Sequence, residues 1–193
     1  MSLAVIQSRA KSGIDAPLVS VEVHLSNGLP AFHLVGLPET SVKESKDRVR
    51  SAIINSHFEF PARRITVNLA PADIPKEGSR FDLAIAIGIL AASEQIPVNC
   101  LNEYEFIGEL ALTGDIRSVE ANLPSAQQAA KKQHKLIIAT ANASEARLVE
   151  SLEILPANHL LEISAHLHDR QLLEPWIGQI VKSDRANPEL RGP

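Results

Sequence analysis

The alternation of apolar and polar residues along the first seventy positions predicts strands, with one amphipathic helix among them. Residues 42–55 repeat apolar positions at helical spacing, and Ser41 with Glu44 three positions later has the pattern of a capping box. Asn27-Gly28 predicts a hairpin between the second and third strands, with a turn that Leu29-Pro30 lengthens. Four segments alternate in side-chain character and are predicted as half-buried strands: residues 3–8, 18–25, 31–35 and 64–69.

A different pattern begins after the fourth strand. Residues 81–93 are apolar on nearly every face of a helix, so this helix should be buried on all sides. A loop that contains Pro71, Pro75 and Gly78 precedes it. Further along, we predict a hairpin turn at residues 113–115, a helix at 124–132, a strand at 136–139 and a helix at 143–152. The mixture of elements indicates an α/β fold.

The composition is that of one globular domain followed by a polar tail. The chain has 193 residues, of which 45% are hydrophobic, so it can bury a sizeable core. We predict a domain over residues 1–175 and a linker or disordered tail over residues 176–193. A single cysteine, Cys100, permits no internal disulfide, and no signal peptide or bilayer-spanning apolar run is visible. These features favour a cytoplasmic protein without a membrane partner.

The formal net charge of −4 argues against a self-standing nucleic-acid-binding module. The charges are nevertheless unevenly distributed along the chain. Lys43, Lys46 and Arg50 form one stripe along the predicted helix, and Arg63 and Arg64 are close in sequence. The stripe is a candidate contact for DNA phosphates or for an acidic neighbouring subunit. The simpler interpretation is an ordinary solvated helix face that neighbouring acidic residues partly neutralise.

Seven histidines raise the question of a metal site. His159, His166 and His168 are close in sequence, but no cysteine or carboxylate stands at a recognised ligand spacing. Residues 165–171 have a helical rather than an extended pattern, and neighbouring positions two apart do not share a helix face. Tyr104 and Trp176 are single aromatics without a stacking platform around them. We therefore expect no metal site, and no aromatic surface for single strands is visible in the sequence.

The loop before the buried helix has the sequence Pro75-Lys76-Glu77-Gly78-Ser79-Arg80-Phe81-Asp82. It resembles the Pro-Lys-Asp-Gly-Pro-Ser-Ala-Gly motif that places the nucleophilic serine of Lon proteases at the start of a helix. In this register Arg80 takes the position of the serine, and Asp82 takes that of the second glycine. A guanidinium stays protonated at any usable pH and cannot attack a carbonyl group.

The second catalytic position of Lon proteases is also altered. Residues 106–119 resemble the Gly-Glu hairpin of the Lon proteolytic domain, which is followed by a Gly-Gly-Leu-Lys segment whose lysine is the general base. Here the segment is Glu120-Ala-Asn-Leu123, so Leu123 takes the lysine position. The two losses imply a pseudo-protease with no catalytic residues. One alternative stays open, a serine-lysine peptidase in which Ser79 is the nucleophile and Lys76 its base. Ser79 also fits a helix cap.

Longer blocks resemble the amino-terminal domain of the ComM/YifB family, and the resemblance covers roughly residues 1–170. The blocks include Val35-Gly-Leu-Pro-Glu-Thr40, residues 47–56, residues 65–73 and Ile107-Gly-Glu-Leu-Ala-Leu-Thr-Gly114. Members of this family are magnesium-chelatase-like AAA+ ATPases, implicated as DNA branch-migration helicases in natural transformation. Their amino-terminal domain is Lon-like and non-proteolytic. The resemblance implies an α/β, two-layer sandwich of the ribosomal S5 domain 2-like kind.

The resemblance also implies a role and a set of partners. We expect a non-catalytic accessory domain that aids hexamer assembly or DNA guidance in natural transformation and recombination. Its expected partners are its own ATPase domain, identical subunits of a hexamer, and branched or single-stranded DNA. No glycine of this chain is followed by lysine, so the glycine-rich loop that binds ATP is absent. ATP and Mg²⁺ are accordingly expected in the ATPase domain, and no cofactor in this segment.

Overall fold

A computed structural model, which describes residues 2–176, shows a seven-stranded mixed sheet with helices packed against it. The strands are β1 (Leu3–Arg9), β2 (Leu18–Ser26), β3 (Ala31–Val35), β4 (Arg64–Ala70), β5 (Tyr104–Ile107), β6 (Glu109–Leu110), β7 (Ile116–Arg117), β8 (Lys135–Ala139) and β9 (Ile154–Ala157). The α-helices are α1 (Thr40–Lys43), α2 (Ser45–Asn55), α3 (Asp82–Ala92), α4 (Asn122–Lys131), α5 (Ala143–Ala146) and α6 (Leu160–Leu167). The predicted α/β class is confirmed.

The large sheet has the strand order β3-β4-β2-β1-β5-β8-β9, and β6 and β7 form a separate hairpin around the predicted turn. Strand β2 pairs antiparallel with β1 and β4, whereas the remaining pairings of the large sheet are parallel. The hairpin predicted from Asn27-Gly28 is wrong, because β1 and β4 occupy both edges of β2. Strand β3 instead pairs with β4, where Leu34 lies beside Val67. The long ladder with β4 prevails over the local turn signal.

Helix α3 is buried at every position, as predicted from its apolar sequence. It crosses the face of the sheet formed by β1 and β2, and α2 packs against it. Gly88 permits this close approach, because a Cβ atom there would lie 2.5 Å from Cγ2 of Val23. The loop that resembles a protease motif therefore leads directly into the most buried element of the domain.

Helices cover both faces of the sheet at the end formed by β5, β8 and β9. Ile137 of β8 joins the large core with residues of α3 and α6, whereas Leu136 and Ile138 face α4 and α5. At the other end, β2 buries alternate residues and leaves His24 exposed on the opposite face. The predicted two-layer arrangement therefore describes the β3-β4-β2-β1 part of the sheet, and a third layer covers the remainder.

Two helices differ from their predicted forms. The helix predicted over residues 42–55 begins at Thr40 and is divided into α1 and α2 at Glu44. The predicted capping box is wrong, because neither helix has a side-chain cap and the Ser41 hydroxyl accepts the N–H of Gly78 at 2.8 Å. The helix predicted over residues 143–152 ends at Ala146. Strands β5 and β9 have no counterpart among the predicted elements.

The described chain ends at Trp176, the first residue of the predicted tail, and residues 177–193 of that tail lie outside the described part. Trp176 donates its backbone N–H to the carbonyl of Ile154 in β9 at 2.9 Å. The backbone N–H of Leu173 is donated to Nδ1 of His166 at 2.9 Å. Within residues 2–176, no helix has the length and apolar character that crossing a membrane requires.

Candidate functional site

Lys76 is fully buried, although it lies in the loop between β4 and α3. Its Nζ donates to the carbonyl oxygen of Gly36 at 2.6 Å and to that of Pro71. The backbone of Lys76 binds the same segment: its N–H is donated to the Leu37 carbonyl, and its carbonyl accepts the N–H of Glu39. Burial lowers the pKa of Lys76. The ammonium group thus holds two chain segments together.

Arg80 is 3% exposed and precedes α3. Its guanidinium makes three hydrogen bonds to neutral acceptors: Nε to the Arg9 carbonyl at 2.8 Å, Nη1 to the Glu120 carbonyl at 2.9 Å and Nη2 to Oγ of Ser125 at 2.8 Å. Burial lowers the pKa of Arg80 to about 10. The side chain is therefore still a cation at neutral pH, and it has no nucleophilic lone pair to offer.

The bonds from Arg80 bring the two altered segments of the motif together. Glu120 and Ser125 flank the stretch in which Leu123 takes the position of the Lon general base. Leu123 is half-buried at the start of α4, and its backbone N–H is donated to Oε1 of Glu145 at 3.1 Å. An aliphatic side chain cannot accept a proton, so this segment offers no base at the Leu123 position.

A cleft of about 660 Å³ lies beside this loop, and both Ser79 and Arg80 contribute to its lining. Ser79 does not form the predicted side-chain cap: Phe81 is the N-cap residue of α3, and the Ser79 backbone carbonyl accepts the N–H of Asp82 at 3.1 Å. Two exposed lining residues, Lys11 and Glu120, form an ion pair at 2.9 Å. This pair raises the pKa of Lys11 and lowers that of Glu120.

Asp82 is fully buried and receives four hydrogen bonds at the start of α3. Arg48 donates from Nε at 2.6 Å and from Nη2 at 3.1 Å, Ser45 donates from Oγ at 2.5 Å, and Leu110 donates from its backbone N–H at 3.1 Å. Burial raises the pKa of Asp82, and the bonds from Arg48 and Ser45 oppose that shift. Where the Lon motif has glycine, this chain therefore has a carboxylate that joins α2, α3 and the β6–β7 hairpin.

The five basic candidates from the sequence separate into two groups. Lys46, Arg50 and Arg63 line one groove of about 610 Å³ between α2 and the beginning of β3. Lys43 and Arg64 are exposed but do not line it. The sequence-based stripe along the helix is thus divided, and only part of it faces a concave surface.

Two phenylalanines accompany the basic residues in this groove. The guanidinium carbon of Arg50 lies 5.1 Å from the ring centroid of Phe60, which is itself 5.8 Å from the ring centroid of Phe32. The sequence alone did not associate these rings, because Phe32 belongs to β3 and Phe60 to the segment before β4. Only the pairing of β3 with β4 brings them together.

The three candidate histidines make hydrogen bonds within the protein. His159 Nε2 lies 3.0 Å from the Thr113 carbonyl, His166 Nε2 lies 3.0 Å from the Tyr104 hydroxyl, and His168 Nδ1 lies 2.8 Å from the Ser164 carbonyl. Among residues 2–176, no three His, Cys, Asp or Glu side chains are grouped so that they could hold a metal ion.

Comparison with known proteins identifies the family. The model of a family described as subunit ChlI of Mg-chelatase matches residues 21–142. Competence protein ComM of Haemophilus influenzae is 54% identical over 187 residues, which are 97% of this chain and 36% of that protein. The protein YifB of Escherichia coli is 54% identical over 174 residues, 90% of this chain and 34% of that protein. Rv2897c of Mycobacterium tuberculosis is 36% identical over 190 residues, 98% of this chain and 37% of that protein.

The chain therefore belongs to the magnesium-chelatase ChlI-like family, in its ComM/YifB group. The family assignment made from the sequence blocks is confirmed. This chain spans little more than a third of the length of the curated relatives it matches, with 36% of ComM covered.

Proposed function

We propose that this chain is a non-proteolytic accessory domain of a ComM-like AAA+ ATPase, with the Lon-like, ribosomal S5 domain 2-like fold that the sequence resemblance implies. The full-length protein is an ATPase that acts in the cytoplasm as a DNA branch-migration helicase in natural transformation and recombination. ATP and Mg²⁺ bind to its ATPase domain. The ChlI-like family match and the name of the Haemophilus influenzae relative, competence protein, support this proposal.

Arg80 is the observation that carries the non-proteolytic part of the proposal. A serine protease needs a nucleophile that faces its substrate and a base within hydrogen-bond distance of it. Here the nucleophile position holds a buried cation whose three hydrogen bonds go to Arg9, Glu120 and Ser125. These bonds serve the packing of three chain segments, which supports a structural rather than a catalytic role for Arg80.

The accessory role concerns assembly and DNA. We infer that the domain aids formation of a hexamer with identical subunits, or guides branched or single-stranded DNA towards the ATPase domain. Lys46, Arg50 and Arg63 line one groove, although the chain as a whole carries a formal net charge of −4. This local concentration of positive charge supports a polyanionic partner.

A serine-lysine peptidase is the competing function. One observation favours it: Ser79 lines the cleft, and within residues 2–176 its hydroxyl has no hydrogen-bond partner. The position of Lys76 opposes it, since the lysine ammonium is bound to the carbonyls of Gly36 and Pro71. Serine is a weak nucleophile without an adjacent base.

A fluorophosphonate probe distinguishes the two functions. We expect no specific labelling of the wild-type chain, and the Ser79→Ala variant is the matched control. Labelling of the wild type that disappears in Ser79→Ala would establish a reactive serine and refute the non-proteolytic proposal.

The accessory role is tested in the full-length protein. Deletion of residues 1–175 should reduce the hexameric fraction in analytical ultracentrifugation or the rate of branch migration at saturating ATP. A deletion that changes neither measurement contradicts an accessory role. The two experiments address separate parts of the proposal, because a domain can lack peptidase activity and still be dispensable.

A further inference from the structure

We propose that the groove lined by Lys46, Arg50, Arg63, Phe32 and Phe60 binds single-stranded nucleic acid, with Arg50 as the surface on which a base stacks. The inference rests on the proposed DNA-guiding role, and it assigns to that role a site and the form of nucleic acid that fits it.

Arg50 has the contacts expected of a stacking residue. Its guanidinium carbon lies 5.1 Å from the Phe60 ring centroid, so the ring supports the side chain from one side. The residue is exposed, and within residues 2–176 it takes part in no ion pair and no hydrogen bond. Its N–H donors and the outer surface of its guanidinium are therefore available to a ligand. Guanidinium groups stack on aromatic rings more readily than ammonium groups do.

The charges around the groove are complementary to a polyanion. Lys46, Arg50 and Arg63 line it together, and Asp47 is the single acidic residue among the lining residues that the structure describes. Arg63 is oriented by a hydrogen bond from Nη2 to the Leu25 carbonyl at 3.3 Å, so its position is set by β2. The chain as a whole has a net charge of −4. Attraction for phosphates is therefore concentrated at the groove, where positive charge is in local excess.

Apolar surface beside the cations favours a single strand over a duplex. The half-buried rings of Phe32 and Phe60 are 5.8 Å apart at their centroids, and Ile54 at 45% exposure lines the same groove. Bases in a duplex are stacked on one another and cannot reach such a surface, whereas bases of a single strand can. The groove volume of about 610 Å³ lies within the usual range of small-ligand sites.

The test begins with the wild-type chain and probes that differ only in their bases. Binding of a fluorescein-labelled thymidine oligonucleotide is measured by fluorescence anisotropy at low salt. The comparison probe is an abasic oligonucleotide of equal length and charge. We expect the abasic probe to bind at least about tenfold more weakly, as loss of base stacking requires. Equal affinities would overturn the proposal, as would an acidic glutamate polymer that binds as tightly as the oligonucleotide.

Charge-matched variants then locate the site. Lys46→Ala with Arg50→Ala removes two charges inside the groove, and Lys43→Ala with Arg64→Ala removes two exposed charges outside it. We expect the first pair to weaken oligonucleotide binding by about tenfold or more, and to reduce the salt dependence by about one unit of slope per lost phosphate contact. The second pair should change affinity by less than about twofold. Equal effects of the two pairs would refute the groove as the site.

Arg50→Lys separates stacking from charge. The variant keeps the positive charge but loses the planar group, so it should weaken binding of the thymidine oligonucleotide by about fivefold and leave binding of the abasic probe unchanged. Wild-type affinity for both probes would overturn the stacking role. Circular dichroism of each variant confirms that the fold is retained. Absence of oligonucleotide binding overturns this inference alone, because the fluorophosphonate and deletion experiments test the proposed function independently.

Discussion

Arg48 donates from Nε to a carboxylate oxygen of Asp82 at 2.6 Å, and this contact joins α2 to the first turn of α3. The Asp82 side chain is 0% exposed and that of Arg48 is 19% exposed. Ser45 and the backbone of Leu110 complete the environment of the carboxylate. Because the Asp82 carboxylate is buried, loss of any one of these partners should lower the stability of the domain at the beginning of α3.

The first prediction is that Arg48→Ala destabilises the domain by about 3 kcal/mol, because it leaves the Asp82 carboxylate buried without its ion-pair partner. The free energy of unfolding is measured by urea denaturation. Arg48→Met combined with Asp82→Leu removes both charges and should recover most of the loss. Lys43→Ala, on the exposed surface of α1, is the control and should change stability by less than about 0.5 kcal/mol. Equal stabilities of Arg48→Ala and Lys43→Ala would contradict the prediction.

The second prediction concerns Arg80→Ser, which restores the residue type of the Lon motif. We expect about 3 kcal/mol of destabilisation, because the carbonyls of Arg9 and Glu120 and the Ser125 hydroxyl each lose a buried donor. We also expect no labelling of the new serine by a fluorophosphonate probe, since Leu123 cannot act as the base that the lysine of the Lon motif provides. Arg64→Ser, an exposed position, is the stability control. A stable and reactive Arg80→Ser variant would show that the catalytic geometry survives.

Several parts of the fold were predictable because their signals are local. The continuous apolar run of α3 requires complete burial whatever surrounds it, and β2 alternates because only one of its faces is covered. The turn at Asn27-Gly28 was misleading for the opposite reason. The partner of β3 depends on the ladder that β2 forms with β4, which no short segment contains.

The candidate site was predictable in its chemistry but not in its contacts. The sequence alone shows that Arg80 cannot be a nucleophile, whereas the acceptors of its guanidinium come from β1 and from the segment around α4. The burial of Lys76 could not be predicted from the sequence either, since a lysine in a loop is usually solvated. Phe32 and Arg50 share a groove only because β3 lies at the sheet edge near α2. Long-range pairing thus decides what residue types alone leave undetermined.

The third prediction uses two glycines with positive φ. Gly36 has φ +101°, and a Cβ there would lie 2.2 Å from the Leu69 carbonyl oxygen. Gly28 has φ +138° with no atom within 4 Å of such a Cβ. Gly36→Ala should therefore cost about 3 kcal/mol or more in urea denaturation, because strand β4 must move, whereas Gly28→Ala should cost about 1 kcal/mol through backbone strain alone. A smaller loss for Gly36→Ala than for Gly28→Ala would refute the close approach.

The last prediction is a pH dependence that arises at His166. Its Nδ1 accepts the N–H of Leu173 at 2.9 Å, so the ring proton lies on Nε2, which faces the Tyr104 hydroxyl at 3.0 Å. Burial, followed by the charge of Lys135, lowers the pKa of His166 below its ordinary value of about 6.5. Asp169 and Glu153 act in the opposite direction.

The unfolded chain therefore binds a proton at His166 before the folded chain does. The stabilising contribution of neutral His166 is fully present above about pH 6.5 and decreases as the pH falls from there towards the lowered pKa of the folded state. Protonated Nδ1 can no longer accept the N–H of Leu173. Urea denaturation at pH 7.5, 6.0 and 5.0 should show a smaller loss of stability on acidification for His166→Asn than for the wild type. His57→Asn, an exposed histidine with φ 67° that asparagine tolerates, should keep the wild-type slope. Identical slopes for His166→Asn and the wild type would show that His166 is not the origin of the pH dependence.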